Sequence, residues 1–228
     1  MREIVFDTET TGLDPQSGDR MVEIGCIELM NRVPTGRTFH AYFNPGRAMP
    51  AGAEAVHGLS DAFLSDKPSF HEKVEELLEF LGDAALIAHN AGFDFGFLDM
   101  ELAACARDPL CRSRMIDTVA LAKQRHPGAK LSLDALCTRY GIDRSHRVKH
   151  GALLDAELLA QLYVELTGGR QIGLGLVASA AAEAALGSLV ARERPFRAPR
   201  PHFASEHELA RHAAFVATLV DPLWAQAR

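Results

Sequence analysis

Three short patterns in this chain place acidic and imidazole groups where hydrolytic chemistry needs them. Asp7-Thr-Glu9 sits in a stretch, residues 3–9, that alternates with the period of a strand. Val5, Asp7 and Glu9 therefore share one face. Two carboxylates pointing the same way repel unless a cation lies between them, which favours a hard divalent metal. Alone the pattern is weak, because Asp-x-Glu arises about once by chance in a chain of this length. His89-Asn90-Ala-Gly-Phe93-Asp94 is far more specific, with a chance occurrence of roughly one in a few thousand. It joins the end of a short strand to the start of a helix, where open α/β sheets place ligands. His150-Gly-Ala-Leu-Leu-Asp155 is the third, with the imidazole just ahead of a helix and the carboxylate one turn inside it. A general base needs the freedom of the first position and a metal ligand the fixity of the second. Four carboxylates and one imidazole match phosphodiester hydrolysis by two divalent ions about 3.5–4 Å apart, with neutral His150 taking a proton from the attacking water.

The elements that must hold these groups follow from periodicity. Residues 21–30 read as a second strand and 37–43 as a third, an antiparallel meander with the first. From residue 69 the period lengthens: Val74, Leu77, Leu78 and Leu81 form one helical stripe that stops at Gly82. Residues 84–88 are a short apolar strand, and Phe93, Phe97, Met100 and Ala104 are spaced for the helix after it. A short strand at 114–117 leads into another helix. Ser132 reads as N-cap and Gly141 as C′ of a helix over 133–140, and 153–166 is the last long helix, ended by Gly168-Gly169. Strands first, then alternating helices and strands, imply a mixed sheet covered by helices.

Length and composition limit the alternatives. The 228 residues are 47% hydrophobic and 24% charged, which excludes a disordered chain, a fibrous repeat and a coiled-coil rod. No apolar run approaches the roughly 20 residues of a membrane helix, and the opening residues read as a core strand, not a signal peptide. Cys26, Cys105, Cys111 and Cys137 show no CxxC spacing and lie in apolar stretches, so all four read as buried, reduced thiols of a cytoplasmic protein. The net charge of −6 argues against coating duplex DNA through bulk electrostatics. The balance is uneven, with 25 acidic against 17 basic residues through 169, and 5 against 7 beyond. An acidic body can still grip the end of a strand through metal ions, which invert the local field. After residue 169 comes an Ala-rich stretch, then a Pro/Arg-rich linker over 192–201. Ser205-Glu-His-Glu208 is a capping box ahead of an amphipathic stripe, Leu209, Ala213, Val216 and Val220, about 15 residues long.

The three patterns resemble the three motifs of the DEDDh 3′→5′ exonuclease family, whose fold is ribonuclease H-like. His150 five residues before Asp155 marks the histidine branch, and Val56-His57-Gly-Leu-Ser60 is similar to the family's additional substrate-side motif. The segment 131–169 resembles, nearly residue for residue, the proofreading subunits of bacterial replicative DNA polymerases. The likeness covers roughly residues 3–169, and no motif residue departs from it. It implies an α/β fold, a mixed five-stranded sheet flanked by helices with a flexible C-terminal tail. It implies an exonuclease domain at 1–169, a linker at 170–201 and a polymerase-binding tail helix at 202–228. By the same resemblance Asp7, Glu9 and Asp155 hold the catalytic metal, Asp7 bridges to a second ion, and Asp94 serves that second ion. The cofactors implied are two Mg²⁺ ions, with Mn²⁺ able to substitute. Thr10, His57, Asn90 and Phe93 line the pocket for the 3′-terminal nucleotide.

The tail carries a weaker likeness. Gln171, Leu174 and Leu176 resemble a sliding-clamp-binding motif, whose plain alternative is an ordinary loop after a helix. Phe203, Leu209, Val216 and Trp224 lie in the stretch that resembles the segment holding the polymerase catalytic (alpha) subunit, and Trp224 is the sole Trp. The implied partners are frayed DNA 3′ ends, that catalytic subunit, the clamp and a small theta-like subunit, in a cytoplasmic, nucleoid-associated complex. Two other functions share these features. An exoribonuclease of the same superfamily, ribonuclease T or oligoribonuclease, has the same motifs but no need of the linker and capped helix. A mainly structural polymerase subunit has no need to keep like charges clustered.

Overall fold

The computed structural model describes residues 1–145, 147, 149–169 and 203–220. The chain divides into two compact units, the first holding every element through residue 169. Its first three strands, β1 (Arg2–Thr10), β2 (Met21–Met30) and β3 (Val33–Tyr42), form the antiparallel meander. β4 (Ala85–Ala88) then pairs in parallel with β1, and β5 (Met115–Asp117) in parallel with β4. The spatial order is β3-β2-β1-β4-β5. β1 is central, and its carboxyl end is where the two acids of the first pattern emerge.

Alternation along β1 decides what each face sees. Ile4 and Phe6 pack beneath α3 (Phe70–Leu81) and α4 (Ala91–Ala104), together with Val74, Leu77, Phe95 and Leu98. Val5 packs on the opposite face with residues of α5 (Thr118–Arg125), α6 (Leu133–Tyr140) and α7 (Ala152–Leu166). Asp7 and Glu9 continue the face of Val5, so both rise toward α7. The register shifts between Glu9 and Thr10, a bulge that ends regular pairing where the acids leave the sheet.

Helix ends follow the expected chemistry. Ser132 caps α6 through the Ala135 N–H and Gly141 closes it in the left-handed region, while Ser69 and Glu72 form a capping box on α3. Two helices have no counterpart in the sequence reading: α1 (Ala51–His57) and α2 (Asp61–Leu64). They are too short, and α1 too exposed, to show a periodic stripe. β3 is longer than expected, starting at Val33, and as an edge strand it carries Pro34 and Gly36. The cysteines also depart from expectation. Cys26 and Cys137 are buried, but Cys105 is only half-buried and Cys111 is exposed beyond the end of α4.

The second unit, taken by itself, contains α8 (Glu206–Val216), capped reciprocally by Ser205 and Glu208. It spans 11 residues, shorter than the expected stripe, and Val220 lies past its end. The clamp-like residues Gln171, Leu174 and Leu176, and Trp224, lie outside the described residues.

Candidate active site

The site grows from three chain segments that meet at the end of β1. The first is β1 itself, whose partner across the ladder from Asp7 is Gly25. This glycine is needed for space, not for unusual dihedrals. A Cβ built there would lie 2.3 Å from the backbone N and Cα of Leu153, so the start of α7 rests directly on bare sheet backbone. That close approach delivers Asp155, one turn into α7 and buried, to the face carrying Asp7 and Glu9. The partly positive amino end of α7 favours the carboxylate there. Ligand atoms of Glu9, His150 and Asp155 all lie within 4.8 Å of one another.

Asp94 arrives from the other side. It sits in the first turn of α4, buried, and accepts a hydrogen bond from the Thr8 hydroxyl at 2.7 Å. The turn before α4 is held by Asp117, whose Oδ1 accepts the backbone N–H groups of Asn90 at 3.0 Å and Val119 at 2.9 Å. Asn90 itself is left-handed (φ 63°), a conformation that Asn tolerates better than most residues. His89 turns inward to Thr118 (Nδ1 to Oγ1, 2.9 Å), a structural contact, and burial holds its pKa below the usual value.

Electrostatics single out the acids. Burial first, then the charges of Asp94, Asp155 and Glu9, push the Asp7 carboxyl well above the usual range. Glu9 is pushed up to about 8, again by burial first, then by Asp155 and by Glu23, its partner across the ladder. Asp94 is raised to about 7 by burial, against the Thr8 hydrogen bond that lowers it. A cluster that prefers to hold protons is one whose negative charge is under-compensated, and the donor set is all hard oxygen with one imidazole. These residues fit divalent cations bound among Asp7, Glu9, Asp94 and Asp155.

Beside the acids lies a cavity of about 450 Å³, lined by Thr8–Leu13, Pro50, Gly52, Ala53, Val56, His57 and Phe93. It brings Thr10, His57 and Phe93 together; Asn90 is not among the lining residues and stands exposed. His57 Nδ1 accepts the Leu59 N–H at 3.0 Å, so Nε2 carries the proton of the neutral ring. Among the described residues no hydrogen bond of standard geometry reaches that buried Nε2; burial lowers the His57 pKa, against the Thr10 backbone, which favours the protonated ring. A ligand oxygen in the cavity would satisfy it. His150 is half-exposed, and its backbone N–H reaches the Val56 carbonyl at 3.4 Å, tying the loop before α7 to the cavity wall.

The sequence and the fold that carry this cluster of acids are similar to those of known proteins. The exonuclease family model of ribonuclease T type matches residues 4–163. DNA polymerase III subunit epsilon of Rickettsia felis is 46% identical over 223 residues, covering 96% of this chain and 97% of its own. The chain belongs to this exonuclease family, in its DNA polymerase III epsilon branch. Subunit epsilon of Escherichia coli K12 is 41% identical over 224 residues, covering 93% and 91%. The fold is also that of the nuclease domain of 3′hExo, a DEDDh family member solved with rAMP bound, at a TM-score of 0.63 and 15% identity over 72% of this chain and 90% of that one. The chain is thus a nuclease of a divalent-metal-dependent family, with the expected α/β, ribonuclease H-like sheet.

Three residues of this epsilon-type site escaped the sequence reading. Thr8 was passed over between the two acids of its own motif, and Gly25 carries no chemical signal. Arg147 lies in a basic stretch, 144–149, and its only hint in the sequence is its place three residues before His150.

Proposed function

We propose that this chain is the proofreading 3′→5′ exonuclease subunit of a bacterial replicative DNA polymerase, removing mispaired 3′-terminal nucleotides as nucleoside 5′-monophosphates. One observation carries the chemistry: four acids, three of them pushed toward protonation, converge with His150 beside a nucleotide-sized cavity. Asp7, Glu9 and Asp155 would hold one Mg²⁺, and Asp7 with Asp94 would serve a second, with Mn²⁺ able to substitute. When bound, such ions neutralise the phosphate and lower the pKa of the attacking water. His150 takes the proton of that water, which requires its neutral form. Thr10, His57 and Phe93 hold the terminal nucleotide, the His57 Nε2–H donating to it. A mismatched end frays more cheaply than a paired one, so selectivity needs no contact that reads a base.

The tail supplies the partners. In this reading 170–201 links the nuclease domain to the 202–228 segment, which docks on the polymerase alpha subunit through Phe203, Leu209, Val216 and Trp224. Gln171, Leu174 and Leu176 engage the sliding clamp, a theta-like subunit steadies the nuclease domain, and the complex works at the nucleoid. Full-length relatives named as polymerase subunits support this over an exoribonuclease or an inert scaffold.

The test compares hydrolysis of a 3′-mismatched DNA primer–template with an RNA strand of the same sequence, in Mg²⁺. Faster cleavage of the mismatched DNA end, lost in Asp7→Ala with the melting curve retained, is expected; preference for RNA overturns the proofreading assignment. A chain ended at residue 169 is expected to keep nuclease activity and lose capture of purified alpha subunit.

A further inference from the structure

Arg147 occupies the middle of the acidic site. Its side chain is 9% exposed, against 48% for His150 beside it. Its Nε donates to Asp155 Oδ1 at 2.5 Å and its Nη2 to Asp155 Oδ2 at 2.7 Å, the bidentate fork that guanidinium and carboxylate form best. The remaining amino group, Nη1, donates to Asp134 Oδ1 at 2.6 Å. Nη2 also donates to His150 Nδ1 at 2.7 Å. A guanidinium has no lone pair to offer, so Nδ1 must be the acceptor and the neutral ring carries its proton on Nε2. One cation therefore claims both oxygens of Asp155 and the only free lone pair of His150. It also offsets the mutual repulsion of Asp7 and Glu9.

We propose that Arg147 is a built-in counter-ion, a positioning residue that holds Asp155 and His150 closed until divalent cations displace it. The proposal rests on the metal-dependent reading above. The oxygens that the fork covers are those a metal needs, and a positive charge at Asp155 repels a second cation, so loading the site is an exchange and not a simple addition. The displaced side chain has somewhere to go. Asp134, half-exposed, keeps hold of Nη1, and an adjoining cavity of about 590 Å³, lined by Asp134, Thr138, Arg144, Lys149 and His150 among others, can receive the guanidinium. Release frees His150 Nδ1, so the base becomes available only as the metals arrive.

The experiment is titration calorimetry of the full-length chain with Mn²⁺ alone, at neutral pH, for wild type, Arg147→Gln and Arg147→Lys, with thermal melts in EDTA alongside. Removing a competing charge-assisted fork is expected to tighten Mn²⁺ binding by about tenfold in Arg147→Gln. Arg147→Lys, which keeps the charge but cannot form the fork, is expected between the two, and both variants melt lower than wild type in EDTA. A purely structural arginine would weaken binding when removed, never strengthen it. Unchanged or weaker Mn²⁺ affinity in Arg147→Gln overturns the proposal, as does Arg147→Lys matching wild type, because the effect would then be charge at a distance. If Arg147→Gln fails to fold, the lysine variant decides by the same criterion. Absence of Mn²⁺ binding in all three would overturn the metal reading itself, an outcome distinct from equal binding in all three.

Discussion

Substituting Gly25 by alanine probes how tightly the site depends on the seat of α7. The added methyl would sit 2.3 Å from Leu153 N and Cα, where ordinary contact begins at 3.4 Å. Both neighbours are backbone, so no side chain can swing aside and α7 must lift by about 1 Å. Overpacking of this kind costs about 1–3 kcal/mol, which for a domain of this size lowers Tm by on the order of 2–12 °C. The catalytic consequence is larger. Asp155 rides on the displaced turn, and a misplacement of about 1 Å in a catalytic group can cost about 10²-fold in rate. Steady-state cleavage of a mismatched primer by Gly25→Ala, in saturating Mg²⁺, should therefore show kcat reduced about 10²-fold while KM for DNA moves little. Wild-type kcat together with a lowered Tm would refute the argument, because it would show that α7 can shift without carrying Asp155 out of place.

Two further outcomes follow from ionisation. Glu9 and Asp94 have folded pKa values raised to about 8 and about 7, so the metal-free protein holds protons that the unfolded chain releases. Its stability should be greatest in mild acid and fall as pH rises from about 5 to about 8, a slope that Mn²⁺ abolishes; a melting temperature in EDTA that is flat across that range would contradict the electrostatics. Cys111 is exposed, and the Ser113 hydroxyl lowers its thiol pKa, whereas burial raises those of Cys26 and Cys137. A disulfide-exchange reagent should thus modify Cys111 first in the native state, and Cys111→Ser should remove the fast phase.

How much of this was legible in the sequence depended on whether the signal was local. Asp7 and Glu9 announced themselves because a period of two fixes which face a strand residue occupies, and Asp155 because a helix interior fixes its direction. The Ser132 and Gly141 caps, and the Ser205–Glu208 box, are written in residues a few positions apart. Arg147 was not legible, since its meaning lies in partners that only folding brings to one point: Asp134 and Asp155 in different helices. Gly25 was equally silent, because a missing side chain shows its purpose only when another backbone fills the space. α1 and α2 build one wall of the cavity with too few turns for a hydrophobic stripe to accumulate. Cys111 follows an apolar residue in sequence but lies in a turn that faces water.

The two borders of the sheet have a consequence for how the protein behaves in a crowded cell. A strand border offers unpaired amide groups to any extended chain that passes, and long regular borders nucleate aggregation. Here β5 presents only three residues, and β3 interrupts its ten with Pro34, which has no N–H to offer, with Gly36, and with a register shift against β2 between its Pro34 and Thr38. Arg37 adds a charge that Glu28 partly compensates. Replacing Pro34 and Gly36 with Thr or Val would leave the acids untouched and give the molecule a continuous sticky rim.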